Sequence, residues 1–305
     1  MSVIDADRGN HGEYLHYNFM KQEYTFGNFN PEDLIRTALA EDLGDGDHTT
    51  LATIPANATG KARLLVKQPG VIAGIDVARK VFQHVDAELI FSQVLQDGDS
   101  IQPGDVAFYL EGSSRSITIG ERLALNFMQR MSGIATKTHR IQSLIADTKC
   151  KLLDTRKTTP GFRFFEKEAV RLGGGVNHRF GLYDMILVKD NHVDFAGGVE
   201  HALSHVQAYL QQTGKPLKVE VEARNMEEVK AVVDSGFVFR VLLDNMTPEQ
   251  IADAVEFIAG RIETEASGGI TEKNIRAYAL AGVDYVSMGA LTHQIESLDL
   301  SLKAC

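Results

Sequence analysis

The sequence contains no tryptophan, only two cysteines and only seven prolines in 305 residues. Cys150 and Cys305 cannot build the disulfide framework of a small secreted domain, so we expect a reducing, intracellular compartment. No apolar run approaches the length needed to cross a bilayer, and the first thirty residues lack the pattern of a signal peptide. These absences predict a soluble, cytoplasmic protein that does not work in a membrane.

The charge balance is acidic, with a formal net charge of −10 from 41 acidic and 31 basic residues. Binding to nucleic acid or to an anionic membrane needs a broad basic surface, so this balance excludes both as general partners. Hydrophobic residues make up 44% of the chain, which is enough for a sizeable core. The length fits one large domain or two ordinary ones.

The first half of the chain predicts an arm followed by a unit of strands and helices. Residues 1–30 show little periodicity and are predicted to be an N-terminal arm. Residues 31–148 form the unit, with strands predicted between turn signals in 61–110. A long amphipathic helix follows from about Ile119 to Ala146, and we expect Gly133 to interrupt it.

From Cys150 onward, short apolar runs alternate with helical stretches, which predicts an α/β unit with a parallel sheet. The predicted strands are Leu152–Asp154, Met185–Lys189, Leu217–Glu222, Val241–Asp244, Ile262–Ser267 and Tyr285–Gly289. An open doubly wound sheet and a barrel, complete or short of strands, both fit this alternation. Polar residues after each strand favour a barrel, because a barrel gathers all of its strand ends at one rim. The N-terminal unit, from the same or a second chain, is expected to cover any gap in it.

Basic residues crowd into the stretch Leu153–His192, which contains the first two predicted strand ends. They are Arg156, Lys157, His178, Arg179 and Lys189. Charges this close repel one another unless carboxylates or a bound anion balance them. Arginine suits a bidentate grip on a carboxylate, and lysine suits a point contact with phosphate. The sequence therefore predicts a local site for a small polyanionic ligand.

Later strand ends carry acids and glycines. Glu220 and Asp244 are predicted to hold a magnesium ion shared with a diphosphate, or else simply to neutralise nearby lysines. The segment Ser267-Gly268-Gly269 is predicted to open a helix and, with Gly289, to bind a phosphate, although Gly-Gly before a helix is also an ordinary loop. No nucleophile is paired with a base, which predicts a group transfer driven by charge placement.

A polar face of the long helix carries Arg122, Asn126 and Arg130 at steps of four. Such a face is ordinarily a solvated surface, so the residues alone assign no role to Arg122.

Taken in order, the motifs resemble those of the quinolinate phosphoribosyltransferase family, the carboxylating nicotinate-nucleotide diphosphorylases of NAD biosynthesis. The similarity runs from about Pro31 to Lys303. The motifs are Glu41–Thr50, Glu121–Phe127, Ser132–Thr136, Asp154–Gly161, Gly173–Leu182, Lys189–His192, Val219–Glu222, Leu243–Met246, Glu265–Ile270 and Gly289–His293. Glu168 and Gln294 depart from the family pattern, outside the proposed contacts.

The resemblance implies an N-terminal α/β sandwich formed by 31–148 and completed by 292–305. It implies a C-terminal α/β barrel with fewer than eight strands, formed by 149–291. It further implies a homodimer or larger homo-oligomer in which the N-terminal domain of one subunit caps the barrel of the other. The implied reaction transfers phosphoribosyl from phosphoribosyl diphosphate to quinolinate with decarboxylation, and Mg²⁺ is the implied cofactor. The products are nicotinate mononucleotide, diphosphate and CO₂.

The resemblance also implies a role for each candidate residue. Arg122 reaches quinolinate across the subunit interface. The two carboxylates are held by Arg156, His178, Arg179 and Lys189. The catalytic residues are Lys157, which lies between the substrates, with Glu220 and Asp244, which serve the metal and the ribose. The 5-phosphate is taken by Ser267, Gly268, Gly269 and Gly289.

Two other functions fit parts of the pattern. A related phosphoribosyltransferase could use nicotinate, a mono-acid, but the crowded cations favour a di-acid. A catalytically silent barrel could bind phosphorylated metabolites as a sensor, but Glu220 and Asp244 argue for catalysis.

Overall fold

The computed structural model describes residues 30–305, so the predicted arm lies outside the described residues except for Asn30. Helix α1 spans Pro31–Leu43 and begins where the side chain of Asn30 accepts a hydrogen bond from the Glu32 amide. Helix α2 follows at His48–Thr53. Asp47, at the end of the acidic and glycine-rich segment Glu41–Asp47, caps α2 by accepting a hydrogen bond from the Thr50 amide.

An antiparallel sheet forms the N-terminal unit. Its elements are β1 (Thr59–Val66), β2 (Gly70–Val71), α3 (Ile75–Val85), β3 (Ile90–Gln93), β4 (Ser100–Ile101) and β5 (Val106–Ser113). The last strand of the chain, β12 (Leu300–Ala304), pairs with β1, giving the sheet order β12-β1-β5-β3. β2 and β4 make a separate two-stranded ribbon. The C-terminal residues thus return to the first sheet; the exact domain boundaries remain predictions.

Helix α4 (Ser114–Ser143) runs without a break through Gly133, so the predicted interruption at this glycine is wrong. A Cβ atom on Gly133 would lie 2.2 Å from the carbonyl oxygen of Glu296. Glycine is therefore needed because the C-terminal segment passes against the helix backbone. At its middle, α4 packs on the second unit through Phe127, whose ring lies 5.2 Å from that of Phe162 and 4.9 Å from that of Phe165.

The C-terminal unit is a parallel sheet with helical crossovers. Its first elements are β6 (Lys151–Leu153), α5 (Arg163–Leu172), β7 (Ile186–Val188), α6 (Asp190–Ala196), α7 (Val199–Thr213), β8 (Val219–Ala223) and α8 (Met226–Asp234). The remaining elements are β9 (Arg240–Asp244), α9 (Pro248–Ile258), β10 (Glu263–Ser267), α10 (Ile275–Leu280), β11 (Tyr285–Ser287) and α11 (Ala290–His293). All six predicted strands are present, each within about three residues of its predicted bounds.

The strand order β6-β11-β10-β9-β8-β7 is that of a six-stranded barrel opened between its first and second strands. The predicted α/β class, with fewer than eight barrel strands, is confirmed. The glycine-rich segment before His178 lies along the open edge of β6, where Val176 donates to the Leu152 carbonyl and accepts from the Asp154 amide. Within residues 30–305, none of the helices combines the length and the apolar character that a bilayer crossing requires.

Candidate active site

The loop after β6 carries Arg156 and Lys157 to the carboxyl rim of the barrel. The backbone carbonyl of Lys157 accepts a hydrogen bond of 2.8 Å from the Thr292 hydroxyl in α11. The Lys157 side chain lies over Gly289, where an added Cβ atom would come within 2.8 Å of Lys157 Cδ. The structure therefore brings the first and last barrel strands together at the residues predicted for the substrate and phosphate sites.

A buried ion pair holds the second basic segment. Asp154, at the end of β6, is fully buried and accepts from Lys167 Nζ at 2.5 Å. The same carboxylate accepts from the Asn177 side chain at 2.7 Å and from the His178 amide at 2.8 Å. These bonds fix the backbone that presents His178 and Arg179 to the rim.

Arg156 and Arg179 lie close enough that the positive charge of Arg156 lowers the pKa of Arg179, in addition to the larger effect of burial. The Arg179 guanidinium donates to the Met185 carbonyl at 3.1 Å, and no carboxylate within residues 30–305 bonds to it. Arg156 Nε is buried and has no hydrogen-bond partner among the described residues. The charges of Asp184 and Glu220 act on Arg179 from further away, but neither guanidinium forms an ion pair with a carboxylate within residues 30–305. Two adjacent cations without a direct ion pair form a site for an anion.

His178 bridges the rim to the interior of the barrel. Its Nδ1 accepts from the Arg179 amide at 2.7 Å, which leaves the ring proton on Nε2. Nε2 lies 3.0 Å from a carboxylate oxygen of Glu220 and 3.5 Å from one of Glu265. Burial lowers the pKa of His178, so the ring is neutral near pH 7 although it lies close to both acids.

Beneath His178, the barrel interior is charged where such interiors are usually apolar. Glu220, Glu265 and Arg240 are almost completely buried, and Arg240 Nη1 lies 3.2 Å from Glu265 and 3.9 Å from Glu220. Burial raises the pKa of both acids, and for Glu265 burial and the neighbouring Glu220 charge raise it to about 7. Both carboxylate oxygens of Glu220 lack a well-aligned hydrogen bond within the described part of the chain, despite the close His178 nitrogen. Glu220 thus lies fully buried among charged groups, with no hydrogen bond to either of its carboxylate oxygens from the described residues.

Sequence reasoning missed Glu265 and Arg240 as parts of this interior. The available signal was the alternation in Glu-Thr-Glu-Ala-Ser of β10 and Val-Glu-Val-Glu-Ala of β8. Charged residues at every second position of a parallel strand point to one face, which here is the inside of the barrel.

Lys189 and Asp244 occupy the rim at two other strands. Lys189 Nζ lies 3.2 Å from Glu222. This lysine, which is predicted to bind a substrate carboxylate, therefore already has a carboxylate partner in the protein. Asp244 ends β9 and accepts from the Asn245 side chain at 2.5 Å. Glu220 pairs in register with Arg240, four residues before Asp244, so the two acids lie about 13 Å apart along the strands. A metal site shared by these two acids stays a prediction.

The segment Ser267-Gly268-Gly269 follows β10 at the rim, but it does not open a helix, so that prediction is wrong. Helix α10 begins only at Ile275, after a turn. Gly268 has a φ of +93°, and a Cβ atom there would lie 2.3 Å from the Asn245 side chain. Glycine is required because this loop runs directly against the end of β9. Gly289, which follows the next strand, is the fourth of the residues that are predicted to bind a phosphate.

Arg122 is exposed on α4 and makes no hydrogen bond or ion pair with residues 30–305. Arg130, eight residues later on the same face, is not the solvated residue that the sequence predicts. Its guanidinium bonds to the buried carboxylate of Glu166 at 2.5 Å. Since eight helical residues span about 12 Å, Arg122 lies about two turns along α4 from Arg130, the residue that contacts the rim.

Comparisons with known proteins agree on one family. Residues 134–303 match the family model described as "Quinolinate phosphoribosyl transferase, C-terminal domain", and residues 47–132 match the corresponding N-terminal domain. A chloroplastic nicotinate-nucleotide pyrophosphorylase [carboxylating] of Arabidopsis thaliana is 44% identical over 285 residues, covering 88% of this chain and 81% of the relative. A probable enzyme of the same name from Bacillus subtilis is 38% identical over 269 residues, covering 88% and 91%.

Solved structures show the same relationship. The crystal structure of NadC from Streptococcus pyogenes matches with a TM-score of 0.85 at 40% identity, over 91% of this chain and 99% of that one. The two family models and the long alignments leave no substantial part of residues 47–303 unmatched. The chain belongs to the quinolinate phosphoribosyltransferase family.

Proposed function

We propose that this chain transfers phosphoribosyl from phosphoribosyl diphosphate to quinolinate and releases CO₂, forming nicotinate mononucleotide and diphosphate in NAD biosynthesis. The observation that carries the proposal is the pair Arg156 and Arg179, which lie together without an ion pair to a carboxylate within residues 30–305. A substrate with two adjacent carboxylates supplies the missing charge, and the family relationship identifies the di-acid as quinolinate.

Substrate binding uses the rim cations. Arg156 and Arg179 grip the carboxylates, because arginine offers paired donors that match a carboxylate. Lys189 and His178 contact Glu222 and Glu220 in the described structure, so a carboxylate of the substrate competes with these internal acids for them. Lys157, exposed beside Gly289, lies between the di-acid and the sugar phosphate.

The transfer step forms a bond from the pyridine nitrogen to the anomeric carbon while the bond to diphosphate breaks. Positive charge develops on the sugar, and the buried carboxylate of Glu220 stabilises it because little water is present to screen the attraction. Asp244 supports the ribose side of the site from the rim. The 5-phosphate binds at Ser267, Gly268, Gly269 and Gly289, where backbone amides are accessible at the glycines.

Decarboxylation follows from the charge of the new pyridinium ring. When the 2-carboxylate leaves as CO₂, the electron pair of the broken bond stays at ring carbon 2, where the positive nitrogen stabilises it. A proton then adds to that carbon to give nicotinate mononucleotide. This sequence needs no activated side-chain nucleophile, in agreement with the site.

Magnesium is the proposed cofactor, and carboxylate oxygens are ligands that suit it. Asp244, at the open rim, fits an ion that enters with the diphosphate, while Glu220 lies deeper, beside His178 and Glu265. When bound, the ion neutralises the leaving diphosphate. We assign both acids to the region of the metal, and the spacing favours separate contacts over a single ion ligated directly by both.

A homodimer would give the exposed side chain of Arg122 a role in substrate binding. This arginine is exposed and distant from the rim of its own barrel, so we propose that it enters the site of a partner subunit and contacts quinolinate there. The exposed side chains of Leu182, Tyr183 and Phe195, at the open side of the barrel, are the proposed surface that the partner covers. A cytoplasmic location is proposed from the composition; the plant relative is named as chloroplastic.

Turnover with two substrates tests the function. Purified protein with Mg²⁺ and phosphoribosyl diphosphate is given either quinolinate or nicotinate, and diphosphate and CO₂ are measured. We expect equal amounts of both products with quinolinate and no diphosphate with nicotinate. Diphosphate release with nicotinate alone would contradict the di-acid assignment, and no release with either acid would favour the silent sensor.

A further inference from the structure

Glu166 is a fully buried carboxylate in the first turn of α5, outside the residues predicted for the site. Arg130 of α4 donates to its Oε1 through Nε at 2.9 Å and through Nη2 at 2.5 Å. The other carboxylate oxygen accepts from the Thr159 amide at 3.0 Å. Arg130 Nη2 also donates to the Thr159 hydroxyl at 2.7 Å. Both members of the ion pair therefore meet at Thr159.

Thr159 lies two residues after Lys157 in the loop that carries Arg156. The two preceding residues are also fixed from outside the loop, because Thr292 donates to the Lys157 carbonyl at 2.8 Å and Arg163 donates to the Thr158 hydroxyl at 3.0 Å. Arg130 links this arrangement to α11 through the Thr292 carbonyl at 3.2 Å. The bonds to Lys157, Thr158 and Thr159 hold the loop through its backbone or a threonine hydroxyl, while the side chains of Arg156 and Lys157 stay free for ligand.

We propose that Glu166 and Arg130 are positioning residues that hold the Arg156–Lys157 loop in the geometry of the transfer step. This positioning role rests on the function proposed above. It adds that a residue of helix α4, in the N-terminal half of the chain, helps to hold a loop at the barrel rim. A buried ion pair adds little net stability over apolar packing, because desolvation offsets the attraction. The pair instead fixes the position of the loop, since each of its charged groups bonds to a defined atom of Thr159.

Glu166→Gln isolates this contribution. Glutamine has the same size but only one acceptor oxygen, so it cannot serve both Arg130 and the Thr159 amide. We expect kcat to fall by about 10- to 100-fold, because a displacement on the order of 1 Å in a catalytic group has effects of that size. Glu168→Gln is the matched control: Glu168 lies on the same helix and also bonds an arginine, Arg171, away from the loop. Its kcat should stay within about twofold, as for other changes away from a buried network.

A double-mutant cycle with Lys157→Ala separates positioning from general damage. If Glu166 acts by placing Lys157, then adding Glu166→Gln to Lys157→Ala should lower kcat by less than about threefold. The same fold loss in both backgrounds would overturn the proposal. Arg130→Lys, which keeps the charge but loses the paired bonds, should show the same dependence on Lys157, and it serves if Glu166→Gln does not fold.

Circular dichroism melting curves of all variants check folding, because the chain has no tryptophan for fluorescence. Different results would contradict the role of the loop and the positioning role of Glu166. Unchanged kcat in Lys157→Ala would contradict the proposed role of the loop itself. Unchanged kcat in Glu166→Gln beside an impaired Lys157→Ala would contradict only the positioning role.

Discussion

Glu220→Gln should lower kcat by about 100- to 1,000-fold while the KM for quinolinate changes by less than about threefold. Glutamine keeps the size of the side chain, which is fully buried beneath the rim, but removes the negative charge. In the proposed mechanism that charge stabilises the cationic sugar only while the transfer step is in progress, so we expect the loss to appear in kcat. Steady-state kinetics with both substrates varied gives the two constants.

Glu227→Gln is the control for this variant, because it removes the same charge from an exposed position of helix α8. We expect it to behave like the unmodified protein. The role of Glu220 would be contradicted if Glu220→Gln kept full kcat, or if it raised only KM. Melting curves of the two variants must also be compared, since Glu220 neighbours His178 and Arg240 inside the barrel.

Arg179→Ala should weaken quinolinate binding by about 30- to 4,000-fold, because removing one partner of a desolvated charge pair costs about 2–5 kcal/mol. Alanine leaves one substrate carboxylate facing Arg156 alone in a half-buried pocket. Arg179→Lys keeps the charge but loses the fork of donors, so it should recover only part of the affinity. Calorimetric titration with quinolinate measures each dissociation constant.

Binding of phosphoribosyl diphosphate provides the internal control for Arg179→Ala. The glycines that we propose to bind the 5-phosphate lie at other strand ends, so its dissociation constant should change by less than about threefold. A quinolinate affinity close to that of the unmodified protein would remove Arg179 from the site. Equal losses for both substrates would indicate that the substitution disturbs the rim as a whole.

Much of the fold was predictable because the second half of the chain repeats one simple pattern. Six apolar runs alternate with helices, and each run became a parallel strand. The interruption at Gly133 was predicted wrongly because a glycine in a helix signals either a break or a close approach, and only the position of Glu296 decides between them. The helix predicted after Ser267 was wrong for a similar reason, since Gly268 serves a contact with Asn245.

The rim residues were predictable because charged side chains follow apolar runs directly in the sequence. The support beneath them was not. Glu265 lies in the middle of β10 and Arg240 begins β9, where a buried charged residue is unexpected, and the two partners are distant in the chain. The pairing of Arg130 with Glu166 joins helices from two units, and no spacing rule predicts it. Whether Arg122 acts in a partner subunit stays a prediction.

The central claim is that two adjacent arginines without a direct ion pair make this pocket specific for an adjacent di-acid. Calorimetric titration of the unmodified protein with quinolinate and, separately, with nicotinate tests it most directly. The account predicts that quinolinate binds at least about 100-fold more tightly, because nicotinate leaves one arginine without a carboxylate. Equal affinity for the two acids, or tighter binding of nicotinate, would contradict it.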